Sequence, residues 1–295
     1  IKGVQPPPPL KSNLKDWNLF HIQQGKETLL IKNRTLNRVL NDVVVEPGGA
    51  FWLATGSGLS HFTPTLWSKI GAGTDLIQHF QKIHEDLAGR LWFASGEFFF
   101  LWSNDKWESY QFNPVVFTGD VCSLKNGLLI VGISETGGLA LFNPVDKSST
   151  VTFPFGNEKI RYYDQDKDGN CFIILQDLNG TSKLIRYDGE HIETLAVDLK
   201  IDGLTPGACE VTDIIQSRNE DIWIVTFTDV ILCKKGIKKR FDLKKEFEWT
   251  FSTSILELEN GNIWVSGSKG IIQYDGGNWL LIQSPEFETA RKMIL

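Results

Sequence analysis

A tile of about 40 residues recurs six times along this chain, and such a period limits the fold more than any other feature. Its clearest copy is NGNIWVSGSKGIIQY, residues 260–274. The others are GGAFWLATGSGLSHF (48–62), AGRLWFASGEFFFLW (88–102), NGLLIVGISETGGLALF (126–142), DGNCFIILQDLNGTSKLIRY (168–187) and NEDIWIVTFTDVILC (219–233). The second apolar position of each tile is Trp52, Trp92, Ile130, Phe172, Trp223 and Trp264, at spacings of 40, 38, 42, 51 and 41 residues. The long spacing leaves an insertion near 198–210, too short for another tile.

Within each period, apolar runs of four to seven residues alternate with turns of Gly, Asn, Asp, Ser or Thr. Such runs are strands, and no window holds the 3.6-residue apolar period of a helix. Four strands per 40 residues make one propeller blade. A lone blade cannot bury both faces, whereas blades around an axis can, so the large aromatic is expected to wedge between neighbours.

The expected fold is therefore all-β: a β-propeller of four-stranded blades. Complete blades are placed at about 36–70, 77–112, 117–155, 158–197, 210–243 and 252–283. The head carries two strand-like runs, WNLFHI (17–22) and TLLIKN (28–33), and the tail FETARKMIL (287–295) resembles the start of a further tile. Residues 14–33 and 287–295 are expected to form a seventh blade together, closing the ring. A six-bladed ring with extra terminal strands, or a piece of a double propeller, are the rivals. Residues 1–13 hold Pro6 to Pro9 and read as a stiff linker after a cut or mature end, with no leader visible. On this reading, residues 14–295 are a single domain.

Composition excludes some functions. A net charge of −6 disfavours nucleic acid, which needs a basic field. The longest apolar run is about five residues (98–102), against roughly 20 for a spanning helix, so no membrane insertion is expected. Cys122, Cys171, Cys209 and Cys233 lack metal spacing and read as buried small hydrophobes, with a disulfide left open.

Asp164, Asp166 and Asp168 in DQDKDG (164–169) alternate before Gly169, like the first half of a calcium loop. Leu175 takes the place of the closing Glu, and the segment coincides with the first turn of its tile, so plain turn chemistry competes with calcium. No other cofactor is expected. The histidines, at 21, 61, 79, 84 and 191, form no ligand-spaced cluster, and KKGIKKR (234–240) falls in a turn. Neither a nucleophile elbow nor a P-loop is present. The sequons at Asn33 and Asn179 are near chance frequency.

In a propeller, the second turn of every tile and the links between tiles share one end. Candidate ligand contacts there are Thr55, Ser57, Glu97, Glu135, Asp177, Asp229 and Lys269, with Arg161 and Trp249 near the links. Each is more simply a loop residue, and together they define a search area.

The tile Gly-x-[Ile/Leu]-Trp, two small or aliphatic residues, [Ser/Thr]-x-x-Gly-[Leu/Ile]-x-x-[Phe/Tyr] resembles the two-component regulator propeller repeat. Residues 261–274 and 49–62 match best, and 88–102 match well. Ile130 and Phe172 depart from the Trp, and Glu220 or Asp221 replaces the turn Gly. The resemblance spans about 36–283. It implies a periplasmic or extracellular sensing domain that binds a carbohydrate-like or other small ligand rather than catalysing, with a protein partner or second propeller beside it. A propeller lyase or hydrolase of the streptogramin-lyase kind is one alternative. A protein-interaction scaffold, using Trp249 or Phe98, Phe99 and Phe100 as exposed aromatics, is the other.

Overall fold

The computed structural model of the chain describes residues 18–23, 26–32, 40–46, 49–56, 58–63, 66–70, 80–95, 98–103, 106–111, 116–117, 121–134, 138–166, 168–199, 201, 211–234 and 236–282. Six antiparallel sheets follow one another, each a meander in chain order. Blade I comprises Leu40–Val45, Phe51–Thr55, Gly58–Thr63 and Leu66–Ile70; blade II comprises Lys82–Glu85, Leu91–Ser95, Phe98–Ser103 and Lys106–Gln111. In blade III the first strand is split: Val116–Phe117 and Cys122–Ser123 pair separately with Leu129–Ser134, followed by Leu139–Phe142 and Ser149–Thr152. Blade IV is Lys159–Gln165, Cys171–Gln176, Ser182–Tyr187 and Ile192–Val197. Blade V is Val211–Gln216, Ile222–Thr226, Asp229–Lys234 and Ile237–Asp242. Blade VI is Ser252–Glu257, Ile263–Gly267, Gly270–Tyr274 and Trp279–Ile282. First strands of successive blades lie against one another, as in a propeller ring.

The first turns of blades I, II, III, V and VI share one feature, a backbone bond between residues three apart that ends on a left-handed residue. The bonds are Gly49 N–H to the Glu46 carbonyl, Gly89 to Asp86, Gly127 to Leu124 and Gly261 to Leu258. Positive φ is why Gly recurs there. Blade V holds Glu220 at φ 66° in that place, and Ser217 Oγ braces the turn by donating to the Asp221 carbonyl.

The aromatics wedge as expected in three tiles. Trp52 meets Phe93, Trp102 and Trp107 of blade II edge-on. Trp92 meets Phe142 of blade III, and Trp223 meets Tyr274 and Trp279 of blade VI. At about 25 cal/mol per Å² and about 200 Å² per ring, a sealed wedge contributes roughly 5 kcal/mol before ordering entropy is subtracted. Five core clusters each span two successive blades, I–II through V–VI. Among the described residues the sixth, Val43, Phe51 and Leu53, draws only on blade I. Trp264, expected as a wedge, is half-buried, and its Nε1 donates to Gln273 of its own blade.

Polar clips join the first strands near the axis. The register shifts after Leu40 in blade I and after Val211 in blade V. These β-bulges set Asp42 and Asp213 to accept from Ile83 N–H and Ile255 N–H of the following blades, each at 2.9 Å.

The head forms a two-stranded hairpin, Asn18–Gln23 with Lys26–Lys32, that pairs with no other strand among the described residues. A seventh four-stranded blade is not shown; the tail 287–295 and linker 1–13 lie outside the described residues. A short helix, α1 (Leu243–Phe247), lies in the V–VI link, capped by Asp242 accepting from Lys245 N–H. Five residues are too few to leave a periodic trace in sequence. Among the described residues no helix is long and apolar enough to cross a membrane.

Candidate functional site

Second turns and links do share one end. Phe80 N–H of the I–II link donates to Thr55 O, and Leu243 N–H of the V–VI link donates to Thr228 O. Thr250 N–H reaches Ser268 Oγ, and Lys269 Nζ pairs with Glu248 at 2.7 Å. First turns gather at the other end, where Arg218 donates to the Glu259 carbonyl across blades V and VI.

Several predicted contacts are structural instead. Thr55 is buried, and its Oγ1 donates to the Gly58 carbonyl, bracing its own turn; Thr226 does the same to Asp229. Asp229 is buried too: its carboxylate takes Arg240 Nη2 and Thr228 Oγ1, each at 3.0 Å. Trp249 corrects the expectation of an exposed aromatic. It has no exposed surface, donates to Ser252 Oγ, and packs so close that a Cβ on Gly267 would lie 2.7 Å from its ring. Phe99 and Phe100 are likewise core, with Phe98 half-buried. An alternating strand face buries such residues without altering the local pattern that flagged them.

Three candidates keep solvent contact. Lys269 is exposed, Asp177 is half-exposed while accepting from Asn179 and Thr181 N–H, and Arg161 is half-buried, donating to Gln176 Oε1 at 2.8 Å. Beside them, Leu178 and Phe227 tip the second turns of blades IV and V at 80% and 43% exposure. Ser57, Glu97 and Glu135 lie outside the described residues.

The acidic segment is built into its turn. Asp166 is buried and its carboxylate takes four donors: Asp168 N–H, Asn170 N–H, Asn170 Nδ2 and Arg186 Nε. Asp164 accepts from Tyr162 Oη and Gln165 N–H. Asp168 borders a cleft of about 610 Å³ at the first-turn end, with Lys125, Arg186, Asp188 and His191. Among the described residues no three His, Cys, Asp or Glu side chains group closely enough for a metal. The acid that caps the indole at the first turn escaped the sequence reading, although it had a signal. Glu46 and Asp86 each stand six residues before a Trp and accept its Nε1 proton, at 2.6 and 2.8 Å.

His84 sits buried on the first strand of blade II, its Nε2 at 2.8 Å from Ser123 Oγ of blade III. Burial first, then Lys82, lowers its pKa to about 4 against the opposing pull of Asp86 and Asp42. The folded form thus stays neutral where an unfolded histidine, with pKa near 6.5, takes a proton. Stability should fall as pH drops from 6.5 towards 4, by about 2 kcal/mol between pH 7 and pH 5. Urea midpoints at the two pH values check this, and His84→Gln should remove most of the difference.

No protein-family profile matches the chain, and no curated protein matches it. Solved structures do. The extracellular domain of a hybrid two-component system protein from B. thetaiotaomicron is 19% identical with a TM-score of 0.62, over 82% of this chain and 33% of that one. The chain thus spans about a third of that extracellular domain's length. A catalytically inactive histidine-to-alanine variant of virginiamycin B lyase from Staphylococcus aureus, with quinupristin, is 12% identical at TM-score 0.61, over 85% and 94%. YCF48 bound to D1 peptide is 11% identical at TM-score 0.61, over 88% and 87%. Likeness at these identities establishes the propeller fold and nothing finer.

Proposed function

We propose that this chain is the extracytoplasmic ligand-binding propeller of a signalling protein, and that it takes a carbohydrate-like or other small ligand at the second-turn end. The observation that carries the reading is convergence. Elements far apart in sequence, Asp177 and Leu178, Phe227, Glu248 and Lys269, come to one end of the ring with charged and apolar side chains in solvent. A sugar offers hydroxyls to the first kind and a ring face to the second. The fold shared with the extracellular domain of a hybrid two-component system protein supports the setting. A ligand bridging several turns would favour one arrangement of neighbouring domains over another.

The same reading includes ring closure. The head hairpin and the tail 287–295 would together complete a seventh blade between blades VI and I, hiding the edges of an open ring.

A lyase is the second reading, favoured by the shared fold with virginiamycin B lyase, whose histidine variant is inactive. Against it, none of the histidines with described side chains lies at the second-turn end. His84 is core, His61 stacks on Trp52, and His191 follows a third turn beside Asp188.

Thermal-shift screening against oligosaccharides, peptides, calcium and streptogramins tests both readings. A sugar at about 100 times its Kd should raise Tm by roughly 5 °C. Lys269→Ala combined with Asp177→Ala should weaken that sugar at least about tenfold, the loss of one good charged contact. No shift with any sugar rejects the carbohydrate reading, and a converted streptogramin seen by mass spectrometry rejects the binding-only reading.

A further inference from the structure

Cys122 and Cys171 stand on different blades, yet their sulfurs lie 2.8 Å apart. Cys122 is on the inner strand of blade III, opposite Ile130. Cys171 opens the second strand of blade IV, between Gln165 and Tyr187. Neither has exposed surface, and both belong to the cluster that joins the two blades, with Leu124, Tyr163 and Ile173. Non-bonded carbons already settle at roughly 3.5–4.0 Å, so two larger sulfurs this close have approached beyond ordinary packing.

We infer that Cys122 and Cys171 form a disulfide that staples blade III to blade IV. The inference rests on the extracytoplasmic setting proposed above, since such bonds persist in oxidising compartments. Two cysteine S–H bonds and the S–S bond of a disulfide oxidant, such as oxidised glutathione or an oxidase of that class, break, one S–S bond forms between the cysteines, and the two protons and two electrons they give up end on the oxidant as two thiols. The buried position places the reaction in folding, before blades III and IV close over the pair.

The described residues of blade III's inner strand pair with its second strand in two pieces, Val116–Phe117 and Cys122–Ser123. A covalent tie at Cys122 holds one piece of that strand against the next blade. Cys233 has no part in it. It lies in the blade IV–V cluster, and burial pushes its thiol up to about 11, which keeps it out of thiolate chemistry.

The test is to refold the whole chain in a glutathione redox buffer, block remaining thiols with an alkylating reagent and map peptides by mass spectrometry. The expected result is one linked pair containing Cys122 and Cys171, lighter by two hydrogens, with Cys233 alkylated. Reduction should lower Tm by about 5 °C, and the Cys122→Ala, Cys171→Ala double variant should show no such reduction-dependent shift. Recovery of Cys122 and Cys171 both fully alkylated, or either joined to another cysteine, overturns the inference. The peptide map does not need the variant to fold. Ligand screening on the same oxidised sample reports separately on the binding reading, because a stapled ring that binds nothing keeps this inference and loses the other.

Discussion

Trp92→Ala is expected to destabilise the chain by about 4 kcal/mol, within the range for deletion of a buried aromatic. The ring is 1% exposed, stacked on Phe99 at 4.8 Å and edge-on to Phe142 of blade III at 5.5 Å. Its Nε1 donates to Asp86. Truncation leaves a cavity between two rigid sheets, which cannot collapse without shearing both ladders, and it orphans one bond of a buried carboxylate. Trp264→Ala removes the same side chain from a half-buried site, so about 1–2 kcal/mol is expected there. Urea unfolding of the two variants measures the difference. Equal losses would mean that the wedge between blades is not what the large aromatic does.

Asp86→Ala should cost about 3 kcal/mol, the range for breaking a buried charged network from one side. The carboxylate accepts from Ala88 N–H, Arg90 N–H, Arg90 Nε and Trp92 Nε1. Alanine leaves four donors without their acceptor at the turn that starts the second strand. The same geometry has an acid signature. Burial pushes the Asp86 carboxyl up, but the bonds from Trp92, Arg90 and Ala88 together outweigh it and hold the group below the usual carboxylate range. A depressed folded value means stability that is present above the unfolded pKa, near 4, and lost as pH falls through the folded one. Acid unfolding monitored by tryptophan fluorescence should therefore lose part of its steepness in Asp86→Asn, which keeps an acceptor and removes the charge. An unchanged acid limb in that variant would contradict the network's role.

Both predictions use features that differ in how far they show in sequence. The blades were legible because strand length, turn chemistry and the aromatic recur together, and six copies average out local irregularity. Gly89 and Gly261 mark turns by a backbone demand; alignment with them left Glu220 or Asp221 as the exception in blade V, and the positive φ of Glu220 decides between the two. The network under the turn was less legible. Asp166 resembles half of a calcium loop because hard oxygens before a glycine serve a turn and a metal equally well, and only the four donors around its carboxylate distinguish the two uses.

The candidate site was legible only as an end of the ring. Thr55 and Trp249 lie at the expected end but point inward, and one residue of strand phase decides between ligand contact and core. Leu178 and Phe227 were passed over because apolar side chains in a β chain are read as core, and exposure at a turn tip depends on where the ladder stops. The Cys122–Cys171 pairing could not be read at all. The two are 49 residues apart, in different tiles, at positions that meet only when blade III packs on blade IV.

Hydrogen exchange along the chain, with and without the first compound that raises its melting temperature, tests the central claim most directly: one end of the ring is the frame and the other the binding face. Slowed exchange is predicted at 177–181, 226–229, 248–252 and 268–270, in turns and a link from three blades at once. Slowed exchange confined to the opposite turns, at 86–90, 166–170 and 188–191, would contradict it.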